Sequence, residues 1–346
     1  MSHQYRAVGW NPHKRAYDTI AAAVTALVLA IVAGGSAWRL PAITVETMIL
    51  RATAVTALLL LHVILSIGPL CRFDRRLLPL LYNRRHLGVL MFLLAATHGG
   101  LAVAQFHAGG DASPLVSLLT SSTGWLTVAR FPFHVPGAVA LGILLVMAAT
   151  SHDFWLRTLT APVWRALHMG VYVAYFALVL HVGFGALQSE VPRWVAGLMG
   201  AGVAWLAALH TLAGRKEAVG DRPALPVPGT SWVDAGRVDD IPDRRARVIC
   251  AGGERIAVFR YDGKVSAVSN VCQHQNGPLG EGRIVRDCIV CPWHGFEYRP
   301  DTGASPPPFT EAVPTFRVAV IDGRAYVDPQ PFPPGTRVPP ATVDQR

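Results

Sequence analysis

The sequence predicts a membrane-embedded, all-α six-helix bundle followed by a small all-β domain, and three observations predict it. The 346 residues are 51% hydrophobic with a mean hydropathy of +0.35, too apolar for an ordinary soluble protein. Six segments free of Asp, Glu, Lys and Arg (19–38, 52–71, 86–110, 131–152, 166–189 and 194–214) each have about the length that crosses a bilayer. Beyond residue 230 the texture changes to short alternating runs divided by turn signals.

The six segments consist mostly of Ala, Leu, Val and Gly. In lipid only a helix satisfies its own backbone, so each reads as a transmembrane helix of a domain covering residues 1–213. The first follows a basic lead-in, "HKRAYD", and ends in "GGSAW". Its apolar run is longer than a signal-peptide core, which favours an uncleaved helix; cleavage would leave five spans. Orientation follows from the basic residues of the short loops. With a cytoplasmic N-terminus the inner segments hold 12 Lys and Arg, and the outer loops hold four: Arg39, Arg51, Arg130 and Arg193. Both termini are therefore expected in the cytoplasm, and the protein in a bacterial cytoplasmic membrane. The outer loop 107–133 is long and partly apolar, which suits either the border of an acceptor or quinone site or an interfacial helix.

"GRKEAVGDRPALPVPG" (214–229) reads as a linker. Residues 230–330 form the β domain, with strand-like runs "RARVIC", "ERIAVFRYDGKVSAV", "RIVRDCIV" and "FRVAVIDGRAYV". "YDGK" and "IDGR" are Asp-Gly hairpin turns. The Pro-rich tail 331–346 is expected to be disordered. Residues 1–228 carry 17 basic against 8 acidic side chains, and residues 229–332 carry 12 against 13. The β domain thus has no basic face for a nucleic acid. Five cysteines, an odd number, argue against a disulfide framework and fit a reducing compartment.

The chemistry of the β domain lies in Cys272-x-His274 and, sixteen residues later, Cys291-x-x-His294. Two Cys and two His can build a structural zinc site, but zinc fingers pair like ligands. One Cys and one His per loop suits a two-iron cluster, with the cysteines on one iron and the histidines on the other. Cys71, Cys250 and Cys288 read as small apolar filler. With "CQHQNGPLGEG", "CPWHGFEYRPDTG", the "PPP" run at 306–308 and the closing "FRVAVIDGRAYV", the domain resembles the Rieske [2Fe–2S] family, and within it the ferredoxins that serve oxygenases. The resemblance implies Cys272 and Cys291 on the inner iron and His274 and His294 on the outer, exposed one. Respiratory members carry one more Cys per loop, joined as a disulfide; Gly277 and Trp293 stand at those positions. Hydrogen bonds to the sulfurs raise the potential. High-potential members have a Ser two residues after the last His and a Tyr four after it. Here these are Phe296 and Tyr298, so one donor is missing and one is kept. The expected midpoint lies in the lower half of a range of about −150 to +300 mV.

Imidazole inside a membrane is costly and calls for a function. The second segment holds His62, the third His86 and His98, the fifth His168 and His181. A b-haem with two axial histidines needs both at one depth on neighbouring helices. Counting from the inner ends at about 1.5 Å per residue, His86 and His168 lie about 2 and 5 Å deep, and His98 and His181 about 20 and 24 Å deep. His62, about 14 Å deep, is an alternative partner for His168. One or two haems follow, with His98, His168 and His181 as main ligands and His62 and His86 as further candidates. His107, His134, His152 and His210 lie near interfaces and read as ordinary residues. "RR-x-LG" at 84–88, His98 and the His168-x12-His181 spacing resemble the ferric-reductase-like transmembrane family, which includes the NADPH-oxidase haem core. That family's FAD and NAD(P)H domain has no counterpart here, since no G-x-G-x-x-G follows a strand.

The expectation is a transmembrane electron-transfer oxidoreductase. A cytosolic donor, a reductase or ferredoxin, reduces the Rieske cluster, and electrons pass through membrane b-haem to an acceptor or quinone at the outer face. The alternatives are flow from a membrane quinol to a cytoplasmic oxygenase, and a membrane-anchored redox sensor.

Overall fold

In the computed structural model the chain divides into two units, one ending at Leu212 and one beginning at Ala213. The structure describes residues 12–81, 83–120, 124–159, 161–188, 191–220, 223–224, 226–274, 276–293 and 295–343.

Six long helices are described: Pro12–Arg39, Val45–Phe73, Arg84–Phe106, His134–Ala149, Ala161–Leu187 and Arg193–Gly220. Five are long and apolar enough to cross a membrane; the fourth is shorter. Its 16 residues span about 24 Å, below the roughly 30 Å of a hydrocarbon core. Pro132 and Pro136 bracket its start. At its end the Thr150 and Ser151 hydroxyls turn back onto the carbonyls of Val146 and Met147, at 2.8 and 2.7 Å.

The second helix is the centre of the bundle. Ala57, Leu61 and Leu65 pack with Met91 and Leu94 of the third helix, Ala140 and Leu144 of the fourth, Ala174 and Ala177 of the fifth and Leu206 of the sixth. Small residues let these backbones approach, which is what drives association where water is absent. The first helix lies at the rim, with Ile20, Val24, Leu27 and Ile31 exposed as lipid-facing side chains are. Its polar N-terminal end still makes contacts: Tyr17 donates to the Leu80 carbonyl at 3.0 Å, and Asp18 accepts from His86.

The C-terminal unit is all β. One sheet has the order β1 (Val233–Arg237), β10 (Arg324–Val327), β9 (Val318–Ile321). The main sheet runs β11 (Ala341–Thr342), β4 (Lys264–Ser269), β3 (Glu254–Tyr261), β2 (Arg245–Ala251), with β8 (Thr315–Phe316) also on β4. A small third sheet joins β5 (Arg283–Val285), β6 (Cys288–Val290) and β7 (Glu297–Tyr298). Both Asp-Gly turns form as expected. Asp262-Gly263 joins β3 to β4 and Asp322-Gly323 joins β9 to β10, all four residues having positive φ. That twist matches the right-handed twist of the paired strands. β3 is buried on both faces. Ala257, Phe259 and Tyr261 enter the core that contains Cys272 and Cys291, while Ile256 and Val258 enter a second core under β1 and β10.

Two expectations are corrected. The sixth helix runs on to Gly220, because "GRKEAVG" holds good helix formers and no proline occurs before Pro223. The rest of the supposed linker lies along the β unit, where Ala224 N–H donates to Cys250 O at 2.7 Å and Val227 N–H to Trp232 O at 2.8 Å. The Pro-rich tail is ordered over 331–343. Phe332 N–H donates to Thr315 O, Val338 N–H to Asp301 O and Val343 N–H to Gly263 O. β11 pairs with β4, and Val338 is buried. Proline keeps the tail extended, and the N–H groups of Phe332, Val338 and Val343 find acceptors on the β unit.

Candidate redox centres

The two Cys-His loops have the same backbone geometry. Cys272 N–H donates to Gly277 O at 3.0 Å, and Asn276 N–H returns to Cys272 O at 2.7 Å. In the second loop Cys291 N–H donates to Phe296 O and Gly295 N–H returns to Cys291 O, both at 2.8 Å. The fourth residue after each cysteine takes positive φ, 59° at Asn276 and 69° at Gly295, which Asn and Gly tolerate best. Each loop therefore closes a tight knuckle around its cysteine and turns that sulfur into the core.

Cys272 and Cys291 are fully buried, with no disulfide among the five cysteines. Gly277 leaves the space in front of Cys291: a Cβ there would lie 2.6 Å from Cys291 Sγ and 3.2 Å from Trp293 Cγ. Thus the two positions that would carry extra cysteines face each other, with an indole lying against a glycine. His274 stacks on Phe296 with centroids 5.0 Å apart and planes within 7°. This stacking explains why His274 is only 7% exposed, where an exposed edge was expected. His294 lies outside the described residues. Among the described residues no group of three or more His, Cys, Asp or Glu converges on one point. Two buried sulfurs, one packed imidazole and a cradle kept open by Gly277 fit the larger part of a two-Cys, two-His cluster site.

Tyr298 sits beneath the first loop. Its hydroxyl is 3.3 Å from Cys272 Sγ and accepts the Gln273 N–H at 3.0 Å. Burial, reinforced by Cys272, pushes its phenol far above the ordinary value, so against a cysteine thiolate the hydroxyl would be the donor. Phe296 makes no such bond and instead packs between His274 and Tyr298. Of the two positions, then, only Tyr298 brings a polar group within hydrogen-bond distance of a cysteine sulfur.

In the helical unit one pair of candidate histidines comes together. The rings of His98 and His181 have centroids 6.2 Å apart. Each Nδ1 donates to a backbone carbonyl, His98 to Leu50 O at 3.2 Å and His181 to Phe133 O at 2.9 Å. That fixes the tautomer and leaves both Nε2 lone pairs available, as metal-bound histidines require. Two metal–nitrogen bonds of about 2 Å, plus roughly 1 Å from each nitrogen to its ring centre, span about 6 Å. The observed gap fits one iron. Gly137 makes room, since a Cβ there would lie 2.7 Å from His181 Nδ1.

The other candidates have different surroundings. His168 donates Nδ1–H to Trp164 O at 2.9 Å, stacks on the Trp164 indole, and directs Nε2 at Ser151 Oγ, 3.4 Å away. His62 donates Nδ1–H to Leu58 O at 2.8 Å and accepts the Tyr175 hydroxyl on Nε2 at 3.0 Å. Its ring fills a notch in the sixth helix that any side chain at Gly202 would block. His86 holds Asp18 of the first helix at 2.8 Å. No ring contact joins His168 to His62 or His86 among the described residues. Tyr175, Gly137 and Gly202 were not legible as site residues, because each acts on a histidine distant in sequence.

Comparison with known proteins gives two separate matches. The profile of the ferric reductase like transmembrane component matches residues 48–179, and that of the Rieske [2Fe-2S] domain matches residues 231–317. The ferredoxin subunit of anthranilate 1,2-dioxygenase from Burkholderia cepacia is 31% identical over 98 residues, 28% of this chain and 91% of that one. The ferredoxin subunit of 3-phenylpropionate/cinnamic acid dioxygenase from Photorhabdus laumondii is 36% identical over 92 residues, 26% of this chain and 87% of that one. Cholesterol 7-desaturase nvd 1 from Ciona intestinalis is 35% identical over 110 residues, 31% of this chain, and the match spans only 23% of the desaturase.

Proposed function

Because the chain belongs to the Rieske [2Fe–2S] proteins through residues 231–317 and to the ferric-reductase-like transmembrane components through residues 48–179, we propose that it conducts electrons outward across a membrane, from a cytoplasmic cluster through b-haem to an acceptor at the outer face. Electron transfer in general is common ground for both domains. The direction, the orientation with both termini in the cytoplasm, and the partners are the proposal. The observation that carries it is the His98–His181 pair, whose spacing and tautomers suit one iron.

Cys272, His274, Cys291 and His294 would hold the cluster, and His98 and His181 a haem toward the outer side. His168, with His62 or His86 as its partner, would hold a second haem. When bound, cluster and haem each supply a one-electron couple. The chain's own residues do the rest. The paired knuckles bury the sulfurs away from water. The Tyr298 hydroxyl stabilises negative charge on Cys272 Sγ. The Leu50 and Phe133 carbonyls orient the imidazoles, and the apolar side chains of the central helices exclude water from the path. The donor would be a cytosolic reductase or ferredoxin that delivers one electron at a time.

A second reading is favoured by the two dioxygenase ferredoxin subunits among the relatives. In it the flow reverses, from membrane quinol through haem to a cytoplasmic oxygenase. Optical and EPR spectroscopy of the purified protein tests both. A b-haem Soret band that loses much of its intensity in His98→Ala and His181→Ala, with a Rieske EPR signal retained, is the expected result. Absence of haem from the wild type would overturn the wire and leave an anchored ferredoxin or sensor. A haem more reducing than the cluster would favour inward flow.

A further inference from the structure

We propose that Arg84 and Tyr172 hold the phosphate of an anionic phospholipid, whose acyl chain lies along the exposed face of the fifth helix. The proposal is independent of the direction of electron flow and of the number of haems. Arg84 is the first residue of the third helix and is half-buried. Its electrostatic neighbours are Tyr172, Cys71 and Tyr17, with no Asp or Glu among them. Among the described residues its side chain has no hydrogen-bond or ion-pair partner. The next two residues differ: Arg85 reaches the Ser151 carbonyl at 3.5 Å, and His86 holds Asp18 at 2.8 Å. A cation left unpaired among packed helices is costly, and an anion from outside the chain removes that cost.

The surroundings of Arg84 suit a phosphate. Its guanidinium lies against the backbone of the second helix, where a Cβ at Gly68 would be 3.4 Å from Nη1. Asn83, the N-cap of the third helix, makes no side-chain capping bond, so the positive end of the helix dipole adds to the charge. The Tyr172 hydroxyl also has no hydrogen-bond partner among the described residues. A guanidinium offers its N–H donors in a planar fork that matches phosphate oxygens, and a phenol adds one O–H donor beside it.

Free phosphate would meet the same donors, but the neighbouring surface favours a lipid. Met169, Tyr172, Val173 and Phe176 recur at helical spacing on one face of the fifth helix and are 53%, 45%, 58% and 63% exposed. A continuous apolar face of this kind takes an acyl chain. Tyr172 belongs to both parts, with its ring in the apolar stripe and its hydroxyl within electrostatic reach of Arg84. The stretch 72–85 adds Arg72, Arg75, Arg76 and Arg85, the kind of basic cluster that draws anionic headgroups.

The test uses the full-length protein, delipidated in detergent, with phosphatidylglycerol and the zwitterionic phosphatidylcholine as probes. Native mass spectrometry should show phosphatidylglycerol bound at least about tenfold more tightly than phosphatidylcholine. Arg84→Gln should weaken phosphatidylglycerol binding at least about tenfold, and Tyr172→Phe should weaken it by less. Arg76→Gln makes the same charge change at an exposed residue and should leave binding unchanged. In thermal unfolding, phosphatidylglycerol should stabilise the wild type and not Arg84→Gln. Should Arg84→Gln fail to fold, Arg84→Lys, which keeps the charge and loses the fork, carries the comparison with Tyr172→Phe. Equal binding by wild type and the Arg84 variants would overturn the site. Equal weakening by Arg76→Gln and Arg84→Gln would show that the lipid answers to overall charge, and would overturn it too. Inorganic phosphate should neither displace the lipid nor stabilise the protein. Stabilisation by inorganic phosphate that is lost in Arg84→Gln would make a free anion the ligand and overturn the lipid.

Discussion

Replacing Tyr298 with Phe removes a single oxygen that has two partners. One is Cys272 Sγ at 3.3 Å, and the other is the Gln273 N–H at 3.0 Å. A hydrogen bond to a charged acceptor contributes about 1.5–3 kcal/mol. Only the part that grows when the cluster gains an electron affects the potential, and we take this as about 1–2 kcal/mol. Since tenfold in equilibrium is about 1.4 kcal/mol, or 59 mV for one electron, the midpoint of Tyr298→Phe should fall by about 40–85 mV. The Gln273 N–H, half-buried, loses its acceptor as well, which costs stability by about 1 kcal/mol. An EPR-monitored redox titration of the full-length variant reads the first effect and urea unfolding the second. The sign matters most. A midpoint that stays the same or rises would show that the hydroxyl does not donate to sulfur, and would remove the argument that Tyr298 tunes the cluster.

Three further outcomes follow from the same geometry. In Gly137→Ala the new Cβ would lie 2.7 Å from His181 Nδ1, displacing the ring from the Phe133 carbonyl; haem content should drop sharply, and a full Soret band would count against His181 as a ligand. Deleting residues 331–346 removes β11 and the buried Val338; the urea midpoint read from cluster absorbance should fall by the equivalent of about 2 kcal/mol or more, and an unchanged midpoint would show that the tail does not stabilise the β unit. Burial, with Glu297 adding to it, pushes the Cys288 thiol up to about 11. About one part in a thousand is thiolate at pH 8, so iodoacetamide should leave Cys288 unmodified in the folded protein and label it about tenfold faster per pH unit up to that value; labelling at pH 8 at the rate of a free thiol would contradict this environment.

What was legible in the sequence was local. The Asp262-Gly263 and Asp322-Gly323 turns need only their own backbone, and both form. The two knuckle loops were legible because each closes within a few residues of its cysteine, Cys272 to Gly277 and Cys291 to Phe296. The tail was not, because its order comes from acceptors at Thr315, Asp301 and Gly263, far from it in sequence. The start of the linker was misjudged by its charge, since Arg, Lys, Glu and Ala continue a helix as readily as they mark a surface. Among the membrane histidines, helix rise correctly placed His98 and His181 at one level. Rise says nothing of azimuth, and so it could not show Tyr175 bonded to His62 or Asp18 bonded to His86.

The indole of Trp293 against Gly277 has a consequence for where this domain can work. Where a disulfide closes the two ligand loops, glutathione or thioredoxin can open them, and cluster retention then follows the thiol poise of the compartment. Here the closure is van der Waals contact between a ring and a bare backbone. No reductant acts on that contact. Strong thiols should leave the loops shut, while anything that weakens apolar packing should release them.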